Sequence, residues 1–438
     1  MSFVLSFLFA CVAGTPPVRA PHELLDYLRK PDSSYSYRVV KENELKTELQ
    51  MTSQTWHGVA WKHTILFQKP SELKYPHTAI LYITGDGPKN GDLLDLALVT
   101  QATGMPVAML FDIPNQPIDG RREDDLIAHT FEEYIKHPDP SLPLLFPMAK
   151  SAIRTMDAIQ DLARKSKNPI DRFVVAGASK RGWTTWMVGA AHDSRVKAIV
   201  PMVFDTLNLP RQMKHQIESW GAYSEQIQDY TRRGLQEQLG TPKGHDLGVI
   251  IDPYSYRADI KAPTLIIKGS NDPYWTADAL DLYWHDLAQP KWLLTVPNAG
   301  HTLGNGLMAV AAIGAFARSV AGEFQMPSLS WNYRQSGRTI QLEVRSTHHP
   351  MVRVRLWAAA SDTLDFRKST YEAVVESAVD SAAVKLESES PHGSGRATLG
   401  YELPPGKNVA LFGEIQYSIH GRQFSLSTPT KVIPATSR

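Results

Sequence analysis

Ser179, Asp272 and His301 are three residues whose types and chain order suit one reaction, acyl transfer. That reaction needs a nucleophile, a base that takes its proton and an acid that orients the base. It also needs hydrogen-bond donors aimed at the oxyanion that forms on the attacked carbonyl. Ser179 stands in 174-VVAGASKRGWTTW-186, a β-branched run followed by a small-residue turn and a helix-like segment. The turn reads Gly177-Ala178-Ser179-Lys180-Arg181-Gly182, one position longer than the G-x-S-x-G elbow of serine hydrolases, with Arg181 in the second glycine's place. Taken alone, such a serine is an ordinary helix N-cap. Asp272 follows the apolar run 263-PTLIIKG-269, and His301 follows 292-WLLTVPN-298. Three residue types in the order Ser, acid, His, each just past a separate buried strand, are the hydrolase arrangement. Asp205, at the end of 197-KAIVPMVFD-205, competes for the acid's role. The Lys180 amide is one candidate oxyanion donor, and the loop 84-TGDGP-88, with Gly85 and Asp86, offers the second.

Positioning these residues takes a sheet. From about residue 35 to 325 strand-like and helix-like segments alternate, which predicts an α/β fold with a mostly parallel sheet covered by helices on both faces. The alternating segments 47–53 and 61–67 read as strands near a sheet edge. The runs 78–84, 105–113, 172–177, 197–205, 263–269 and 292–298 read as buried strands, and 91–103, 147–166 and 276–288 as helices. All three candidate residues then fall at the carboxyl edge of the sheet, where open α/β sheets bind ligands. The excursion 206–262, carrying Trp220 and Tyr223, is either a lid shaping a pocket or a helical pair packed at the side. After residue 325 short alternating strands predict an antiparallel β-sandwich-like domain over 326–438, following an α/β domain over 21–325.

The bulk numbers exclude other classes. With 46 basic and 45 acidic residues among 438, the net charge of +1 offers no electrostatic footing for nucleic acid or an anionic membrane. Hydrophobic residues at 42% are enough for a sizeable core. Gly85-Asp86-Gly87 falls short of a dinucleotide loop, so no cofactor and no metal are expected. The expected partner is a small-molecule or peptide substrate; the oligomeric state is not legible. The apolar stretch 3–13 resembles the core of a secretory signal, cleaved before Gly14, although no Lys or Arg precedes it. A secreted or periplasmic protein is therefore expected, without disulfides. The alternatives are lipid attachment through the single cysteine, Cys11, or simply an apolar N-terminus on a cytosolic protein.

The segments 51-MTSQTWHGVAWKH-63, 110-LFDIPNQPI-118, 147-PMAKSAIRTMDAI-159, 177-GASKRGWTTW-186 and 251-IDPYSYR-257 resemble the PhoPQ-activated pathogenicity-related proteins. The resemblance implies an α/β-hydrolase core with a serine elbow, an appended C-terminal β-domain and export from the cytoplasm. It names no substrate. The G-x-S-x-x-G spelling also resembles the glucuronoyl esterases, which implies a cation after the nucleophile, Lys180 or Arg181 here, helping to hold the oxyanion. The rival to an esterase or peptidase is a binding or signalling protein that keeps the fold without turnover.

Overall fold

A computed structural model describes residues 20–164, 169–378 and 395–435. The expected signal segment, Cys11 and the 383–387 part of the C-terminal strand pattern lie outside the described residues. Nine strands form one sheet: β1 (Ser36–Glu42), β2 (Lys46–Trp56), β3 (Val59–Gln68), β4 (Thr78–Ile83), β5 (Val107–Leu110), β6 (Arg172–Ala178), β7 (Val196–Met202), β8 (Thr264–Gly269) and β9 (Lys291–Val296). Their spatial order is β1-β2-β3-β5-β4-β6-β7-β8-β9. The strands from β5 to β9 pair in parallel, and β1, β2 and β3 extend them antiparallel. This is the α/β-hydrolase fold.

Side-chain alternation explains why both faces are covered. Ala79, Leu81 and Ile83 point to one core and Ile80 to the other. Helices Leu145–Arg164 and Lys180–Gly189 pack on the first side, through Met148, Met156 and Trp186. Helices Asn90–Thr103 and Leu307–Val320 pack on the second, through Leu96, Val99, Ala312 and Phe316. Burying both faces makes continuous apolar runs stable as strands. The chain leaves β4 toward β5 and leaves β6 toward β7, in opposite directions. A crevice therefore opens between the carboxyl ends of β4 and β6, the usual ligand position in such sheets.

Three expectations change. The strand expected to reach Asp205 stops at Met202, because Val203 turns to φ 45° with its N–H on the Ile267 carbonyl. The helix expected over 276–288 is broken into 3₁₀ turns at Ala279–Leu282 and Trp284–Asp286. Between them Tyr283 departs to φ −148°, with its buried ring placing the hydroxyl on Asp205, a tertiary contact that overrides the local pattern. At the sheet edge, β1 lies outside the two strands read there. The excursion 206–262 folds into helices Leu209–Trp220 and Pro242–Ile251 with short turns between them.

The C-terminal strands form two antiparallel sheets, one of Ser328–Ser336, Thr339–Thr347 and Gly395–Glu402, the other led by Arg353–Ser361 and Asn408–Ile419. Ile340, Leu342 and Val344 of one sheet share a core with Leu356, Leu411 and Ile415 of the other, as a sandwich requires. The same core continues into the second face of the nine-stranded sheet through Phe316 and Leu294. Among the described residues no helix is long and apolar enough to cross a membrane.

A buried polar network fastens β2 and β3 to helix Leu145–Arg164. His63 Nδ1 lies 3.2 Å from the Phe111 carbonyl oxygen and Nε2 2.9 Å from Ser53 Oγ, which also meets Ser151 Oγ. A carbonyl only accepts, so Nδ1 carries a proton. Burial pushes the imidazole down to about 4 from 6.5. A depressed folded-state value stabilises the fold above the unfolded value, and the contribution is lost as pH falls from 6.5 to about 4. His63→Gln is therefore expected to flatten the fall of unfolding free energy across that window by up to about 3 kcal/mol, read from urea midpoints. Equal pH slopes in parent and variant would refute it.

Candidate active site

Ser179 closes the turn between β6 and helix Lys180–Gly189 at φ 58° and ψ −129°. A residue with a Cβ holds such angles only where its surroundings impose them, at roughly 1–3 kcal/mol. Here the Ser179 N–H donates to the Met202 carbonyl on β7 (2.9 Å), and the Trp183 N–H donates to the Ser179 carbonyl (3.0 Å). Two close approaches fix the spacing of the motif. A Cβ on Gly177 would stand 2.5 Å from the Arg181 carbonyl oxygen, and one on Gly182 2.7 Å from the Met202 carbonyl oxygen. The late glycine is thus the one that lets the helix meet β7. Position 181 needs none, because its side chain leaves toward the loop after β4.

Asp272 follows β8 and His301 follows β9. The two loops are tied together: the Asn271 N–H donates to the Ala299 carbonyl (3.0 Å), and the Asn298 N–H to Ser270 Oγ (2.8 Å). His301 Nδ1 lies 2.9 and 3.1 Å from the two oxygens of Asp272, which is 4% exposed and also accepts from the Tyr274 N–H (3.0 Å). A carboxylate accepts, so Nδ1 carries a proton, and Nε2 is the nitrogen left to exchange one. Nε2 is buried and has no partner among the described residues. Tyr274 stacks on the imidazole with ring centroids 4.1 Å apart, and it lines the same cavity as Ser179. Asp205 faces elsewhere: it pairs with Lys268 and accepts from Tyr283 Oη (2.8 Å), fully buried. The carboxylate that meets His301 is Asp272.

The cations beside Ser179 are neutralised. Lys180 Nζ lies 2.9 Å from both Glu123 Oε2 and Asp124 Oδ2. The Arg181 guanidinium makes a two-pronged pair with Glu123 at 2.8 and 2.9 Å and reaches the Ile113 carbonyl. Lys180 and Arg181, the two cations that the glucuronoyl-esterase resemblance offered for the oxyanion, are thus both engaged by carboxylates, and the Lys180 backbone N–H lies at the positive end of the helix. Burial alone would raise the Glu123 carboxyl, but Arg181 and Lys180 outweigh it and hold it down to about 2. Gly85 is where this network meets the loop after β4, since a Cβ there would fall 2.5 Å from the Arg181 guanidinium. Asp86 accepts from Gln116 Nε2 (2.8 Å) and pairs with Arg122, while Gln116 also bonds Glu123 on both its amide atoms. Asp86 therefore braces the loop.

A cavity of about 100 Å³ opens beside Ser179 and Lys180. Trp183 and Phe204 stack in its wall at 4.9 Å, with Trp275 edge-on to Phe204. The excursion 206–262 closes it through residues such as Leu209, Met213, Tyr230 and Leu247, so its helices cover the cavity. Trp220 and Tyr223, the residues expected to do this, are not among its lining. Trp220 instead lies under the Arg367 guanidinium at 4.0 Å, and Tyr223, partly buried, packs against the core on the first side of the sheet. Glu123, Asp124 and Tyr274 were not picked out from the sequence. The only signals were an acidic run opening a helix after Arg121-Arg122, and an aromatic pair directly after Asp272-Pro273. Among the described residues no group of His, Cys, Asp and Glu is arranged to hold a metal ion.

The family described as PhoPQ-activated pathogenicity-related protein matches residues 24–367. Autocrine proliferation repressor protein A of Dictyostelium discoideum is 33% identical over 395 residues, covering 83% of this chain and 78% of its own. Among solved structures, acetyl xylan esterase 1 from Thermoanaerobacterium sp. JW/SL YS485 aligns at 15% identity over 69% of this chain and 95% of its own, with a TM-score of 0.47. The acetyl xylan esterase of Paenibacillus sp. R4 aligns at 18% identity over 69% of this chain and 96% of its own, also at 0.47.

Proposed function

The chain belongs to the PhoPQ-activated pathogenicity-related family, and on that premise we propose that it is a serine hydrolase cleaving an ester or peptide/amide bond. The observation that carries this is Ser179 at φ 58° on a strand–helix corner, together with a histidine whose Nδ1 is held by Asp272 and whose Nε2 has no partner among the described residues. Ser179 Oγ attacks the substrate carbonyl while His301 Nε2 takes its proton. The proton passes to the leaving group as the bond to the carbonyl carbon breaks, leaving an acyl-serine. Water then attacks the acyl-serine by the same proton route, releasing the acid and restoring Ser179. Asp272 keeps His301 in the tautomer that accepts at Nε2 and stabilises the imidazolium. The Lys180 N–H and an N–H of the loop containing Gly85 and Asp86 receive the oxyanion.

The name of the Dictyostelium relative favours a second reading, a secreted signalling protein that uses the fold without turnover. A fluorophosphonate probe separates the two. The folded parent is expected to label, with the adduct at Ser179 in peptide mass spectrometry; a folded chain that does not label leaves the signalling reading standing.

Glu123 joins the elbow to the oxyanion loop through Arg181, Lys180 and Gln116. Glu123→Gln is expected to lower kcat of an active ester by about 10- to 100-fold with a smaller change in KM, because misplaced donors weaken the transition state first. A change confined to KM would place Glu123 outside that role.

A further inference from the structure

The cavity beside Ser179 is lined from two sources. Trp183, Phe204 and Trp275 come from the segments that follow β6, β7 and β8. These three brace one another: Phe204 stacks on Trp183 and meets Trp275 edge-on, and Trp183 Nε1 donates to the Ile251 carbonyl (2.7 Å). Leu209, Met213 and Leu247 come from the excursion 206–262 and carry no polar anchor of their own. The polar residues of the lining add little polarity. Thr206 Oγ1, Gln236 Oε1 and Trp275 Nε1 are buried beyond the reach of a solvent molecule, so an entering group meets carbon there. Tyr230 Oη donates to Asp124 (2.9 Å), and Asp124 also pairs with Lys180. The two charged residues of the lining thus neutralise each other, and an ion entering would lose its hydration without gaining a partner.

Which part of the substrate enters follows from the same lining. Ser179 and Lys180 border the cavity, whereas His301, whose Nε2 serves the leaving group, does not. Tyr274 lines it and covers one face of the imidazole. The acyl side therefore occupies the cavity. Its volume of about 100 Å³ is smaller than the roughly 150 Å³ engineered cavity that takes benzene, so about four or five carbons fit and a long chain does not. An unfilled apolar cavity lacks the contacts its lining could make, and an alkyl group that fills it restores them.

Resting on the hydrolase reading above, we propose that this cavity is the acyl-binding site, that it takes a short, uncharged aliphatic acyl group, and that Met213 and Leu247 set the length limit. The aromatic side is fixed by its own contacts, so the depth available is decided by the side chains the excursion lays over it.

The test is kcat/KM for 4-nitrophenyl esters from acetate to decanoate, each value divided by the ester's alkaline hydrolysis rate to remove intrinsic reactivity. The ratio is expected to rise about fourfold per methylene, to peak at butyrate or pentanoate, and to fall again well before decanoate. A second pair keeps shape and changes charge: 3,3-dimethylbutyrate is expected to exceed trimethylammonioacetate by about tenfold or more. Met213→Ala and Leu247→Ala are each expected to move the peak to a longer chain, with fluorophosphonate labelling reporting that the variant is folded. Met213→Val serves in place of Met213→Ala should that variant not fold. A ratio that is flat, or that climbs all the way to decanoate, overturns the acyl assignment and leaves the hydrolase reading intact. So does a cationic ester that matches its neutral partner, or a peak that stays in place in the folded variants. Labelling at Ser179 without turnover of any ester overturns the assignment too. No turnover and no labelling in the folded parent removes both readings.

Discussion

Ser179→Ala is expected to abolish fluorophosphonate labelling and to cut turnover of an active ester by about a million-fold, the scale seen when a triad nucleophile is removed. The size follows from the mechanism: without Oγ no acyl-enzyme forms, and only the oxyanion donors and substrate binding still help. The fold should survive, because the N–H and C=O of residue 179 make their bonds to Met202 and Trp183 whatever the side chain. A companion change separates chemistry from strain. Alanine at φ 58° carries the same backbone penalty as serine, whereas glycine at such angles does not. Ser179→Gly is therefore expected to be as inactive as Ser179→Ala yet about 1 kcal/mol more stable in denaturant unfolding. Retained turnover in either variant would remove Ser179 from the reaction.

Asp272→Asn is expected to lower kcat by about ten-thousand-fold with little loss of stability, and Asp205→Asn to do the reverse. An amide at 272 can still touch His301 Nδ1, but it offers its NH₂ as readily as its oxygen. That stabilises the tautomer with the proton on Nε2, which cannot accept from Ser179. Asp205 meets no group of the elbow; its partners are the buried Lys268 and Tyr283. Neutralising it strands an ammonium that is about 5% exposed, a loss of about 3–5 kcal/mol. Denaturant midpoints and kcat measured on both variants decide the matter. Equal losses of activity, or the opposite order, would overturn the assignment of the acid.

The sheet was readable because its central strands are buried on both faces and therefore uniformly apolar, as at 78–83 and 173–176. The same simplicity placed Ser179, Asp272 and His301 at one edge, since chain order and strand polarity suffice for that. What was not readable arises from contacts between residues far apart in the chain. The carboxylate partners of Lys180, Glu123 and Asp124, lie more than fifty residues before it in the chain, and no local pattern encodes that meeting. Trp220 and Tyr223 stood out as aromatics on a covering segment, yet the wall is built from Trp183, Phe204 and Trp275, of which Phe204 sits just beyond the end of β7 and Trp183 inside the helix after β6. The 276–288 pattern is helical by periodicity but yields to the buried Asp205–Tyr283 bond.

The C-terminal sheets reach the site through a single turn. Asn271, next to Asp272, donates through Nδ2 to the Phe366 and Ser369 carbonyls at 3.1 and 2.7 Å. Asn298, three residues before His301, exchanges two bonds with the Tyr371 backbone at 2.7 and 2.8 Å. The loops carrying Asp272 and His301 are thus each fastened to the same six-residue stretch of the other half of the chain. A recombination that joined this sheet to a foreign C-terminal module would have to bring matching carbonyls and an amide to the same place. The two halves are, in that sense, one heritable unit, since the loops of Asp272 and His301 keep their shape only with the β-sandwich beside them.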